Sequence, residues 1–248
     1  MAEKIFGIHA VQAVLARNPE RVKNLYVQNG RGDKRLQEVL GLAASASIGV
    51  AQRPREELDK MVEGRHQGVV AVVEPATEYR EKDLPDLVAA AGSAALILVL
   101  DGVTDPHNLG ACLRSADAAG VTAVVAPKDN SVGLGATGFK VACGAADVVP
   151  FIQVTNLARS LQQMQQAGIW VVGLAGEAEA SLYERDLSGP VALVLGAEGA
   201  GMRRLTRENC DYLAKLPMAG TVSSLNVSVA TGICLFEAVR QRQSASIG

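Results

Sequence analysis

From residue 95 onward the chain alternates two patterns. Short, almost uninterrupted apolar runs lie at 96–100, 123–126, 170–174, 191–195 and 212–216, and helical spacing occupies 111–119, 140–146, 156–167, 203–209 and 227–239. Strands apolar on both sides must be covered on both faces, and helices between them do the covering. The pattern therefore predicts an α/β domain on a parallel sheet. In such sheets ligand loops gather beyond the carboxyl ends of the strands. The composition agrees: 48% of residues are apolar, yet only nine are aromatic, so Ala, Val, Leu and Gly must pack helices closely onto the sheet.

The first 74 residues alternate on a smaller scale. Helices are expected at 8–16, 34–44 and 55–61, and strands at 24–28, 50–52 and 69–73. The β-branched run at 69–73 is the clearest strand of the set. Residues 75–94 carry Pro75, Pro85 and four acidic residues, and read as a linker leading into a short helix. Three regions follow: a small α/β domain at 1–74, a linker at 75–94, and the larger α/β domain at 95–248. No repeat of 20–50 residues is evident.

The net charge is −2, so any nucleic-acid surface must be local. Residues 1–74 hold 11 Lys/Arg against 9 Asp/Glu, and residues 95–248 hold 11 against 13. The balance mildly favours the N-terminal region as a contact for RNA or DNA. The four cysteines, Cys112, Cys143, Cys210 and Cys234, form no C-x-x-C pair and have no clustered histidines. Zinc is therefore not expected, and each thiol is expected to be buried and reduced. The N-terminal residues show no signal-peptide pattern, and no apolar run reaches the ~18 residues a membrane span requires. A soluble cytoplasmic protein without a membrane or metal partner is expected.

One motif misleads. Gly133, Gly135 and Gly138 spell G-x-G-x-x-G, but Pro127 to Asn130 separate them from the preceding strand, and no acidic residue follows at the required distance. A nicotinamide site needs both features, so a mobile glycine loop is expected instead.

Three other loops follow apolar runs. In residues 105–114, Asp105-Pro106 sets an extended turn, Asn108 can cap a helix, Gly110 permits close backbone approach, and Arg114 follows a turn and a half later. In residues 195–202, three glycines surround Glu198, offering bare N–H groups and one carboxylate. In residues 216–230, Pro217 and Gly220 interrupt the chain before Ser223, Ser224 and Asn226 open a long apolar helix. Each admits a purely structural explanation as a capped helix, a tight turn or a surface arginine. Together they suggest one site at a sheet edge.

These loops resemble the three motifs of the SpoU (TrmH-like) group of SPOUT methyltransferases. Asn108-Leu109-Gly110 with Arg114 resembles the first, Leu195 to Gly199 the second, and Leu216-Pro217-Met218 with Ser223 to Ser228 the third. Gly7-Ile8-His9-Ala10 and His66-Gln67-Gly68 resemble the group's small substrate-binding domain. The resemblance spans nearly the whole chain and is nearest to bacterial enzymes that methylate a guanosine ribose in 23S rRNA.

The resemblance implies an L30e-like N-terminal domain, a SPOUT domain with a deep trefoil knot, a homodimer, and S-adenosylmethionine held in a bent shape. It implies cofactor contacts at Gly196, Leu216, Met218 and Leu225, and a catalytic group of Asn108, Arg114, Glu198, Ser224 and Asn226. The implied reaction is in-line attack of a ribose 2′-hydroxyl on a sulfonium methyl, which needs positioning and proton removal but no metal. A guanidinium stays charged, so Arg114 is expected to hold the target phosphate and stabilise the developing alkoxide. Arg17, Arg21, Lys23, Arg31, Lys34 and Arg35 are the candidate RNA contacts, with a solvated surface as their plain alternative. His9 and His66 are expected in domain structure or RNA contact. A tRNA substrate, a non-catalytic ribosome-assembly factor and a nicotinamide dehydrogenase are the competing readings. The distinct N-terminal domain, the intact five-residue set and the misplaced glycines argue against them in turn.

Overall fold

The structure, a computed structural model, describes residues 2–74 and 79–245, apart from the side chain of Arg17. Residues 75–78 of the expected linker and the last three residues of the chain lie outside the described residues. The chain divides into two units, Met1–Thr77 and Glu78–Gly248.

In the first unit the elements run β1 (Glu3–Phe6), α1 (Ile8–Arg17), β2 (Val22–Gln28), α2 (Lys34–Ser45), β3 (Val50–Arg53), α3 (Arg55–Met61) and β4 (Val69–Val73). The sheet order is β1-β4-β2-β3, with β4 antiparallel to β1 and β2, and β2 parallel to β3. Strand side chains alternate between faces. Val69, Ala71 and Val73 thus join Val11, Val14, Leu36 and Val39 of α1 and α2, while Val70 packs on Leu58 of α3. The sequence pattern did not disclose β1, because EKIF is a half-polar edge strand. The two motif segments of this unit meet. Gln67, held at φ 50°, accepts the Ile8 N–H with its side-chain oxygen at 3.2 Å, and Gly7 N–H donates to the Val69 carbonyl at 3.2 Å.

In the second unit the elements are α4 (Leu84–Ala91), β5 (Leu96–Asp101), α5 (Pro106–Ala118), β6 (Ala123–Pro127), α6 (Ala136–Ala142), β7 (Phe151–Val154), α7 (Leu157–Gln166), β8 (Trp170–Leu174), β9 (Val191–Gly196), α8 (Arg204–Glu208), β10 (Tyr212–Ala214) and α9 (Val227–Ala245). The six strands lie in the order β10-β8-β9-β5-β6-β7, and every pairing is parallel. All six residues of β5 are buried. Leu96, Leu98 and Leu100 face Leu109, Leu113 and Leu235 of α5 and α9; Ile97 and Val99 face Leu84, Val88, Leu157 and Leu161 of α4 and α7. The edge strand beside β6 is β7, unrecognised in the sequence because FIQV alternates half-buried and buried positions.

Several expectations need correction. Within the region read as a linker, Leu84 and Val88 are core residues of the second unit. Helix α5 begins at Pro106, five residues earlier than expected, and Asp105 caps it by accepting the His107 N–H at 2.9 Å. Proline at the first helical position has no N–H to waste there. Asn108 is consequently inside the first turn rather than at the cap. Helix α6 absorbs Gly138, which is buried against α5: a Cβ on Gly110 would lie 2.7 Å from the Gly138 carbonyl oxygen. Gly138 thus serves helix contact, whereas Gly133 and Gly135 lie in the loop before α6. Cys143 ends α6 in the left-handed region and is exposed, unlike buried Cys112 and Cys234.

The described part of the C-terminal end is held in place. Gln241 accepts the Leu187 N–H at 2.7 Å, and the Arg242 guanidinium donates to the carbonyls of Ala94, Ala95 and Gly189 at 2.7–2.9 Å. These bonds fasten the end of α9 beneath the amino ends of β5 and β9. Arg242→Ala should lower the unfolding free energy by about 2 kcal/mol, the scale of lost hydrogen bonds from a charged donor. Denaturant titration of the variant against the wild type measures it.

Candidate active site

The chain leaves β8, β9 and β10 on the same side of the sheet and encloses a cavity of about 430 Å³ there. Its lining includes Gly196, Glu198, Leu216, Met218, Ser224 and Leu225. Six of the nine residues singled out in the sequence thus share one hollow. Asn108 and Asn226 do not line it but are bonded to Glu198, which does.

Local geometry explains the glycines of the loop after β9. A Cβ on Gly196 would sit 2.1 Å from the Gly201 carbonyl carbon and 2.2 Å from the Met202 nitrogen. The loop returns across its own starting point, and only glycine leaves room. Ala197 and Gly201 exchange backbone hydrogen bonds at 3.2 and 2.9 Å, with Gly199 and Gly201 in the left-handed region.

Glu198, at the turn of this loop, reaches the start of α9. Its Oε1 accepts the Val227 N–H at 3.3 Å, the Asn226 side-chain amide at 2.5 Å and the Asn108 amide at 3.3 Å. Asn226 also donates to Asn108 Oδ1 at 3.0 Å, while its own Oδ1 accepts the Ser228 N–H at 2.9 Å as the cap of α9. The first N–H groups of a helix have no internal partner and carry partial positive charge, so a carboxylate is favoured there. Helix capping and site assembly are here the same set of bonds.

Arg114 is not brought to this cluster. It lies in mid-α5, exposed, and pairs with no acid among the described residues. Six helical steps separate it from Asn108, which turns it to another side of the axis.

Sequence reading overlooked five charged residues around the loops. Glu177 and Arg207 form an ion pair at the cavity wall, where Lys215 also lies. Asp101, fully buried at the end of β5, accepts the Arg203 N–H at 2.8 Å and Nε–H at 2.7 Å. A charged residue closing the apolar run LILVLD was the available signal.

The candidate RNA contacts separate. Arg21 is buried, with Nε donating to the Glu74 carbonyl at 3.1 Å, so it belongs to the fold of the first unit rather than to its surface. Arg31 is held by Asp33 and by the Gln67 carbonyl. Lys23 pairs with Glu74 at 2.8 Å, both half-exposed to solvent. Lys34 and Arg35 are exposed at the start of α2. The Arg17 side chain lies outside the described residues. His9 is exposed, whereas His66 is buried between Asp59, 2.8 Å from Nε2, and the Gly68 N–H, which donates to Nδ1 at 3.0 Å. His66 is thus a structural residue.

Comparison with known proteins bears on these loops directly. Residues 95–236 match the model of the SpoU rRNA Methylase family. The chain belongs to that family. Residues 4–79 match the model described as RNA 2′-O ribose methyltransferase substrate binding. The SpoU chain is 61% identical over 241 residues, 97% of each chain, to the 23S rRNA (guanosine-2′-O-)-methyltransferase RlmB of Pseudomonas putida. It is 59% identical over 243 residues to the Escherichia coli K12 protein of the same name, covering 98% of this chain and all of that one. Among solved structures it is similar to the SpoU methyltransferase AviRb of Streptomyces viridochromogenes in complex with AdoMet, at TM-score 0.71 and 26% identity, covering 98% of this chain and 91% of that one. No described helix of this SpoU chain is long and apolar enough to cross a membrane.

Two measurements check this geometry. Burial pushes the Cys112 thiol up to about 11 and the Cys210 and Cys234 thiols up to about 12. At pH 8 at most about one in a thousand of these is thiolate, the reactive form. Thiol titration of the native protein at pH 8 should show a single fast group, lost in Cys143→Ser. Gly196→Ala should destabilise by about 1–3 kcal/mol, the usual overpacking cost, and disturb Glu198. Thermal unfolding and amide exchange at 197–202 register both effects.

Proposed function

We propose that this chain transfers a methyl group from S-adenosylmethionine to the ribose 2′-hydroxyl of a guanosine in 23S rRNA. One observation carries the reading. Asn108, Glu198 and Asn226, from three separate loops, are joined by hydrogen bonds at the rim of one cavity. They do so in a chain that aligns over nearly its whole length with enzymes bearing that activity in their names.

The cavity suits the cofactor. Its volume falls within the range of small-molecule sites. Leu195, Leu216, Met218 and Leu225 offer apolar walls for a base and a thioether, and the bare backbone at Gly196 admits close approach. Bound there, the cofactor supplies a methyl group on a positively charged sulfur. Gly196, Leu216, Met218 and Leu225 would enclose it.

The remaining work belongs to side chains. Oε1 of Glu198 already accepts three N–H groups, so Glu198 orients the Asn108 and Asn226 amides. Ser224, exposed at the cavity lining, is placed to orient the ribose. Arg114 stands apart from this cluster within one chain, so in this reading its fork of donors would hold the target phosphate and steady the developing alkoxide at a site completed by a second copy of the chain. Closing RNA over the cavity excludes water from the reacting oxygen.

In this reading the loops after β9 and β10 form the trefoil knot of a SPOUT domain at residues 95–248, and residues 1–74 form an L30e-like domain that grips folded RNA. Lys23, Lys34 and Arg35 are exposed cations of that domain proposed to meet the RNA, together with Arg17 and Arg31. The protein acts as a homodimer in the cytoplasm.

The direct test offers 23S rRNA lacking the modification, tRNA and labelled S-adenosylmethionine, then maps the product. One 2′-O-methylated guanosine in 23S rRNA is expected. Transfer to tRNA alone, or to no RNA, overturns the proposal. Arg114→Lys keeps the charge but loses the planar fork. It should lower kcat/KM about 100-fold, on the scale of losing a transition-state donor; single-turnover methylation rates at saturating cofactor measure it.

A further inference from the structure

The loop from Gly196 to Met202 supplies a whole wall of the cavity. Its two ends meet at a neck. Gly196 there passes against Gly201 and Met202 with no room for a side chain. The next residue, Arg203, is tied by its backbone N–H and its Nε–H to the two oxygens of Asp101. Asp101 ends β5 directly opposite Gly196 in the parallel register. Residue 101 therefore stands at both ends of the loop: its backbone lies in register with the point where the loop leaves the neighbouring strand, and its carboxylate holds the residue at which the loop comes back.

We propose that Asp101 is a positioning residue for the methyl donor: acting through Arg203, it clamps the neck of the 196–202 loop and holds that loop in the shape of a cofactor wall. The inference rests on the reading of the cavity as the S-adenosylmethionine site. Asp101 is not itself a catalytic or ligand-touching group. It is fully buried, it is absent from the cavity lining, and its two oxygens are taken by Arg203. Nor does plain fold stability explain it. Removing a carboxylate from water is costly even when paired, and an aliphatic residue would simply continue the buried run LILVL. What the carboxylate adds is two directed acceptors at one point, which an aliphatic side chain lacks. Arg203 is the natural counterpart because it is half-exposed, so its charge keeps contact with water while Nε–H turns inward. Gly102, at φ 87°, follows at once, and a Cβ on it would lie 3.5 Å from that of Ala197 on the same neck.

Asp101→Asn keeps one oxygen for the neck but turns an amide donor against a donor of Arg203. Arg203→Ala removes the guanidinium from a partly exposed site and leaves the core packing in place. Isothermal titration with S-adenosylmethionine should show each variant binding about tenfold more weakly, the usual scale for losing a supporting hydrogen bond behind a ligand site. KM for the cofactor should rise by a similar factor, with KM for RNA unchanged and kcat altered less than about threefold. Hydrogen exchange should quicken at 197–203. The double variant should bind no worse than the weaker single, because both remove one clamp. The proposal is overturned if cofactor affinity stays within about twofold of wild type while melting temperature falls, or if the two losses add. Should Asp101→Asn fail to fold, Arg203→Ala and Arg203→Lys give the same decision. If the wild type binds cofactor but methylates no rRNA, the functional reading fails while titration and exchange still judge the clamp.

Discussion

The carboxylate of Glu198 holds the site together. It leaves one loop and ends at the first N–H of α9, with amides from Asn108 and Asn226 completing its contacts. Helix α9 is 19 residues long, and its first turn has donors that no residue of its own backbone can satisfy. Supplying an acceptor from another loop fulfils that need and joins the loops after β5, β9 and β10. The cavity is the space these tied loops leave beside the strand ends.

The sheet beneath makes this possible. Strand β5 is buried throughout and sits between β9 and β6, with helices on both faces, so its end cannot drift. A parallel sheet brings successive carboxyl ends to one edge, and every loop of the site springs from that edge. At the opposite edge, Arg242 and Gln241 fasten the far end of α9 to the strand starts. The helix whose start organises the site is thus anchored at both ends. In the first unit a related economy appears: buried His66 holds the turn at 66–68, and the side chain of Gln67 in that turn accepts the first N–H of α1.

Much of this was legible in the sequence where one local force dominates. The strand at Trp170–Leu174 and the helix at Arg55–Met61 have the bounds that periodicity indicates, because their apolar positions are unambiguous. The half-polar edge strands β1 and β7 were not legible, since edge positions tolerate polar residues and blur the alternation. Helix α5 was read too short because its first turn, PHNLG, carries no apolar stripe, although Asp105 and Pro106 are a cap and a first-turn proline. Arg21 looked like a surface cation, and Cys143 like a core thiol. Only packing reveals that the first is buried and the second is not. In the site itself, the cavity-lining residues were identified by motif, but the Asp101–Arg203 clamp was not, because its partners are 102 positions apart.

By itself the sequence determined the α/β class, the alternation that makes a parallel sheet, and the three glycine- and amide-bearing loops at the ends of its strands. Those properties are local: apolar spacing, proline and glycine geometry, and the short polar groups that suit helix starts. The tertiary structure alone decided which side chains of those loops bond to one another. Glu198 finds the head of α9, Asp101 finds Arg203, and Arg114 stays apart on its helix. Such pairings depend on strand order and on backbone approach at contact distance, and residues far apart in the chain do not encode them in any window of it.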